Sequence, residues 1–149
     1  MAFDDTQIKE ANDQLEIRLG GDRDDWKSKI KDLVSKLKNM NDLSECQVRM
    51  LSYRQILLDK ASDFKTTIYK RNATWDKYYK ELYRKYSIDY DVKLTNGEKH
   101  QFIKADLSAL KIQLDMLQSH IDYYYECIKT LDNMAFAIRN RISLDDKEF

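Results

Sequence analysis

Residues 107–142 read LSALKIQLDMLQSHIDYYYECIKTLDNMAFAIRNRI, and this stretch decides the fold. Apolar side chains recur in strict 3-4 alternation. Leu107, Leu114, Ile121, Ile128, Ala135 and Ile142 take heptad position a, and Leu110, Leu117, Tyr124, Leu131 and Ile138 take position d. No Gly or Pro interrupts these five heptads, so the spacing predicts one long helix, capped by Asp106 and running to about Ser143. Ile112, Met116, Tyr123, Tyr125, Cys127, Met134 and Phe136 widen the stripe on both flanks. A two-stranded coil needs only the narrow seam, so the width points to a bundle or a multi-subunit assembly. A seam this long is usually shared between helices or subunits, and its eleven residues are the candidates for oligomerisation.

Upstream, the period changes. Ile88, Tyr90, Val92 and Leu94 alternate with polar residues and lead into Asn96-Gly97, a dipeptide that favours a type I′ turn. A small β-hairpin over about 88–103 is predicted. Before it, a helix over about 44–87 carries Cys46, Met50, Tyr53, Leu57, Ala61, Phe64, Ile68, Asn72, Trp75, Tyr79, Tyr83 and Tyr86 in a repeat of eleven residues. Asn72 is its polar member and is placed to set register. An earlier helix over about 24–40, capped by Asp24 or Asp25, uses Trp26, Ile30, Leu33, Val34, Leu37 and Met40, and residues 41–44 form a turn with Ser44 as the next cap. Residues 5–19 carry a weak apolar pattern that Gly20 and Gly21 stop; this segment reads as a short helix or a mobile acidic tail. The predicted architecture is therefore all-α, a helical hairpin or bundle with a small inserted β-hairpin. An acidic N-terminal arm (1–23) precedes a helical region (24–103) and a C-terminal oligomerisation helix (104–149).

Composition agrees with long amphipathic helices. The chain has 149 residues, the length of one domain, with no Pro, and 35% of them are charged against a usual share of about 25%. Net charge is zero but unevenly spread: −5 over residues 1–25, +3 over 26–64, +5 over 65–104 and −3 over 105–149. The basic middle either faces an anionic partner or pairs with the acidic ends. The acidic start and the lack of any run of about 18 apolar residues lead to the expectation of a cytoplasmic protein with no membrane contact. Cys46 and Cys127 are isolated and read as buried free thiols. Gly20, Gly21 and Gly97 form no phosphate-cradling motif, and neither His100 nor His120 has a metal-ligand neighbour at helical spacing. Neither catalysis, nor a metal, nor a cofactor is expected.

Residues 65–85, KTTIYKRNATWDKYYKELYRK, offer binding chemistry instead. Cations neutralise phosphates and rings stack on bases, which is how single-stranded nucleic acid is held without sequence preference. Lys70, Arg71, Lys77, Tyr78, Lys80, Arg84 and Lys85 are the candidate DNA-binding residues. Tyr69 and Tyr78 are the better stacking candidates, whereas Tyr79 and Tyr83 continue the apolar stripe and read as core. The same pattern also fits a solvated lysine face over core aromatics.

Residues 128–142, IKTLDNMAFAIRNRI, resemble the terminal signature of the UvsY family of phage recombination mediator proteins. Lys129, Leu131, Asn133, Phe136, Ile138, Arg139, Asn140 and Ile142 carry the likeness, with Asp106 before the signature and Phe149 after it. Met134 stands where that signature often has a basic residue. The resemblance covers residues 104–149 and extends loosely over 44–103. It implies a non-enzymatic, all-helical ring of six or seven subunits in the bacterial host cytoplasm. Such a ring binds single-stranded DNA and loads a RecA-like recombinase onto strands covered by single-strand-binding protein. The rival reading is a coiled-coil structural or adaptor protein of a phage or bacterial assembly, with protein partners only.

Overall fold

A computed structural model describes residues 4–147 and is all-α. Four helices form: α1 (Thr6–Lys36), α2 (Leu43–Arg84), α3 (Asn96–Asp106) and α4 (Ser108–Lys147). A 3-10 turn, Met40–Asp42, precedes α2, and a π-helical turn, Lys85–Asp89, follows it. The chain divides into two compact units: one of residues up to Arg18 with Phe64–Ser119, the other of Leu19–Asp63 with residues from His120 onward. Within them α1 and α2 both pack on α4. Phe149, expected beside the family signature, lies outside the described residues.

Three expectations fail locally. Gly20 and Gly21 do not stop a helix. α1 runs through both, neither has positive φ, and the helix starts at Thr6, whose amide N–H donates to the Asp4 carboxylate at 3.0 Å. Glycine lowers helix stability by about 1 kcal/mol without forbidding it, and packing of the flanking Leu15, Leu19 and Trp26 outweighs that. The acidic N-terminal segment is thus neither a short helix nor a tail, but the first half of α1.

The second failure is the β-hairpin, because no strand occurs among the described residues. Thr95 Oγ1 accepts the Glu98 amide at 3.2 Å, and the Glu98 carboxylate accepts the Thr95 amide at 3.4 Å. This capping box starts α3 and makes Asn96-Gly97 its first two residues rather than a turn. Ile88, Tyr90 and Val92 stay exposed, with only Leu94 buried. Third, Asp106 ends α3 instead of capping the next helix, and its carboxylate accepts the Tyr86 hydroxyl. Leu107 bridges α3 to α4 through a single non-helical residue.

In the unit built from Leu19–Asp63 and the carboxyl-terminal part of α4, three helical segments close around one core. Leu19, Trp26 and Leu33 of α1 and Cys46, Met50, Leu57 and Ala61 of α2 are buried with Ile121, Tyr124, Ile128, Leu131, Met134 and Ile138 of α4. The heptad seam is therefore covered inside one chain. Leu107, Leu110, Leu117, Ile121, Tyr124, Ile128, Leu131 and Ile138 are buried, and Leu114, Ala135 and Ile142 are half-buried. Periodicity specifies that a stripe must be covered; here α1 and α2 cover it. Met134, at the signature's basic position, adds to this core, whereas Phe136 is exposed. Cys46 and Cys127 are free and buried, and burial pushes both thiols up.

The other unit has a smaller core of Leu82, Tyr86, Leu94, Ile103 and Leu107, on which Trp75, Tyr78, Tyr79 and Tyr83 pack. The Tyr86 ring meets Tyr90 and Phe102 edge-on at 5.3 and 5.6 Å. Burial, then the Asp106 hydrogen bond, pushes its phenol up to about 12. The start of α1 is tied in by a buried polar clamp: Asn12 Nδ2 donates to the Ala109 carbonyl at 2.8 Å, and Gln113 Nε2 donates to Asn12 Oδ1 at 3.2 Å. Asn72, expected to set register from a buried position, is exposed.

Candidate nucleic-acid interface

The distal half of α2 belongs wholly to the unit that contains Phe64–Ser119 and carries most of the candidate DNA-binding residues. Lys70, Arg71, Lys77, Lys80 and Arg84 are all exposed, and among the described residues none has a carboxylate within 4.0 Å. Asp76 and Glu81 share the helix but pair with none of them. Lys85, in the π-helical turn, lies 5.2 Å from the Tyr86 ring centroid. The proximal half behaves differently. Arg49 reaches Glu45 at 2.8 Å and Asp32 at 3.5 Å, Arg54 reaches Asp132 at 3.0 Å and Lys60 reaches Asp22 at 3.1 Å. Internal pairing of the basic block therefore holds for the proximal part of the helix and stops short of the distal part.

The rings follow the stripe in part. Tyr69 is 77% exposed, as a stacking residue requires. Tyr78 is half-buried against the small core. Tyr79 and Tyr83, read as core, are half-buried and line an open cleft of about 410 Å³ with Lys80, Arg84, Asn96 and His100. The Tyr79 hydroxyl and His100 Nδ1 share a hydrogen bond, and their rings stack at 5.7 Å and 27°. Tyr83 donates to Asn96 Oδ1 at 3.2 Å, its ring lies 6.0 Å from His100, and Lys99 Nζ sits 5.3 Å from its centroid. A hairpin would put Asn96 in the turn and His100 on the return strand; in α3 both stand on one helix. The Thr95–Glu98 capping box was the signal, since a helix starting there puts them four residues apart on one face.

Another cleft of this unit, about 610 Å³, is lined by Gln14, Leu15, Arg18, Thr67, Arg71 and Gln113 among others. Arg18 and Arg71 are exposed and reach no carboxylate among the described residues, so two guanidinium groups face one groove without an internal counter-ion. Guanidinium suits bidentate phosphate contact. The acidic average of residues 1–25 masks Arg18 in the sequence.

A polar cluster in the other unit does different work. Asp22 Oδ2 accepts the Tyr124 hydroxyl at 2.6 Å and lies 2.9 Å from His120 Nε2, while Lys60 contacts Oδ1. Burial pushes the Asp22 carboxyl up, but the bonds from Tyr124, His120 and Lys60 together hold it below its usual range. Burial also lowers the pKa of His120, only partly opposed by Asp22, so the imidazole is neutral in the fold near neutral pH. His120 is 2% exposed, which closes it to a substrate. No group of three or more His, Cys, Asp or Glu is placed to hold a metal ion, and no helix is long and apolar enough to cross a membrane, among the described residues. No protein family, curated protein or solved structure matches this chain.

Proposed function

We propose that this protein is a recombination mediator. It binds single-stranded DNA along the distal half of α2 and helps load a RecA-like recombinase onto strands covered by single-strand-binding protein. The observation that carries the reading is the set Lys70, Arg71, Lys77, Lys80 and Arg84, solvent-facing and without ion pairs among the described residues, in a helix whose other half pairs every cation. Such charges gain most from displacing counter-ions on a phosphate backbone. The likeness of residues 104–149 to the UvsY signature supplies the recombinase and the single-strand-binding protein as partners. The work is positioning, with no bond made or broken.

Multivalency across a homo-oligomer of six or seven subunits turns weak contacts into a firm grip. Since the heptad seam is covered within one chain, self-association falls to other surfaces. Gel-shift titration against oligo-dT tests the reading: affinity falls steeply with added salt, and Lys70→Ala with Arg71→Ala weakens it further. Binding that ignores salt counts against it. Sedimentation of a lone protomer at high concentration would remove the multivalent part.

One observation favours the adaptor reading. A groove of about 610 Å³ in the other unit is lined by Met50, Leu51, Leu131 and Ala135 with Arg54 and Arg139, and Val48, Leu51 and Phe136 are exposed. Its apolar floor and charged rim suit a protein segment. That reading predicts no DNA affinity at any salt concentration.

A further inference from the structure

We infer that the cleft between the end of α2 and the start of α3 is a base-stacking subsite. It takes one unstacked nucleobase of a bound strand against Tyr79, Tyr83 and His100, with the flanking phosphates on Lys80 and Arg84. This rests on the single-stranded DNA reading and adds to it the place where that strand is told from a duplex.

Three observations converge. The rings are held in place rather than loosely exposed: the Tyr79 hydroxyl is bonded to His100, and Tyr83 donates to Asn96 Oδ1 at 3.2 Å. A preset ring loses little freedom when a base arrives, so more of the stacking energy appears as affinity. The cleft, at about 410 Å³, lies within the range of about 300–1,000 Å³ typical of small-molecule sites. Its cations are unspent: Lys80 and Arg84 have no carboxylate in reach among the described residues.

Asn96 adds a recognition edge. Its Oδ1 is occupied by Tyr83, which leaves the Nδ2 hydrogens to donate to a base carbonyl such as that of thymine. In a duplex that base is stacked on both faces and its pairing edge is engaged, so only an unstacked strand enters. One stacked base contributes about 1–3 kcal/mol, or roughly five- to 150-fold in affinity. Repeated in every subunit of an oligomer, that suffices to set strand preference.

The test is a fluorescence-anisotropy titration of the full chain with four probes: oligo-dT, an abasic strand of equal length and charge, a duplex, and free thymidine monophosphate as competitor. The wild type is expected to hold oligo-dT about tenfold more tightly than the abasic strand or the duplex, with no competition from the mononucleotide at micromolar concentration. His100→Ala removes an exposed ring from α3 and brings oligo-dT down to the abasic value at an unchanged melting temperature. Tyr83→Leu, which keeps the apolar packing, does the same. Equal wild-type affinity for oligo-dT and the abasic strand overturns the subsite and leaves the DNA reading standing. So does a base preference that survives in both variants, while competition by micromolar mononucleotide means a free-nucleotide site instead. Failure to bind any strand removes the DNA reading itself.

Discussion

Residues 43–63 and 64–84 are the two halves of α2, alike in residue types and unlike in use. In the first half Leu43, Cys46, Met50, Leu57 and Ala61 are buried, and Arg49, Arg54 and Lys60 all reach carboxylates. In the second half only Leu82 is fully buried, the aromatic rings are half-buried or exposed, and Lys70, Arg71, Lys77, Lys80 and Arg84 reach no carboxylate among the described residues. A cation bonded to an internal carboxylate has little to gain from a phosphate, because it must first give up that partner. One without such a partner gives up only water and small ions. The same helix therefore ties its cations into the fold at one end and leaves them to solvent at the other, where the proposed function puts its binding surface.

That contrast sets the size of the response to mutation. Leu57→Ala opens a cavity in a closed core and should lower stability by about 2–5 kcal/mol in urea titration. Ile68→Ala, at a half-buried position of the distal half, should cost less than half as much. Equal costs would mean that the distal half is buried by something a single chain does not show.

Charge reversal comes next. Lys70→Glu with Arg71→Glu should reduce oligo-dT affinity at least tenfold, with a shallower salt slope. Arg54→Ala loses an exposed ion pair, so stability should change by less than about 1 kcal/mol and DNA affinity should stay as it was. A loss of DNA binding on Arg54→Ala would erase the division between the halves.

Acid should act on the scaffold through His120. Its pKa is lowered by burial, so the unfolded chain binds a proton that the folded chain refuses, and stability falls as pH drops below about 6.5. The facing charges oppose one another: Asp22 favours the imidazolium, whereas Arg23 and Lys60 disfavour it. Asp22, held low, adds a separate loss as pH falls below 3.8. Thermal melts between pH 7 and pH 5 should show a falling midpoint, and His120→Gln should flatten that part of the profile.

The smallest effect is a gain. A Cβ added to Gly21 meets nothing within 4 Å, and the residue lies inside α1 without positive φ. Gly21→Ala should stabilise the fold by about 0.5–1 kcal/mol with DNA affinity unchanged. A loss of stability would show that α1 needs freedom at that point.

Much of the fold is legible in the chain, residue by residue. Leu107 to Ile142 announce α4, and Cys46, Met50, Leu57 and Ala61 announce the buried face of α2, because a helix shows its covered side at a fixed local period. The region 85–106 misleads because two local signals compete. Alternation from Ile88 to Leu94 argues for strand and the Thr95–Glu98 box argues for helix, and two reciprocal hydrogen bonds on backbone amides prevail over a pattern that finds no sheet to join. The candidate interface was half legible: its cations and rings stood in one run, but Arg18, Asn96 and His100 enter only through contacts distant in sequence.

By itself, then, the sequence determined that α2 and α4 form as long amphipathic helices, which faces they hide and where the positive charge gathers, since each depends on neighbours within a turn or two. Only the tertiary structure decided what covers the heptad seam, which lysines and arginines find a carboxylate, and which tyrosines border open space. Those outcomes turn on groups far apart along the chain, such as Arg54 and Asp132 or Lys60 and Asp22, and no local period encodes which of them meet.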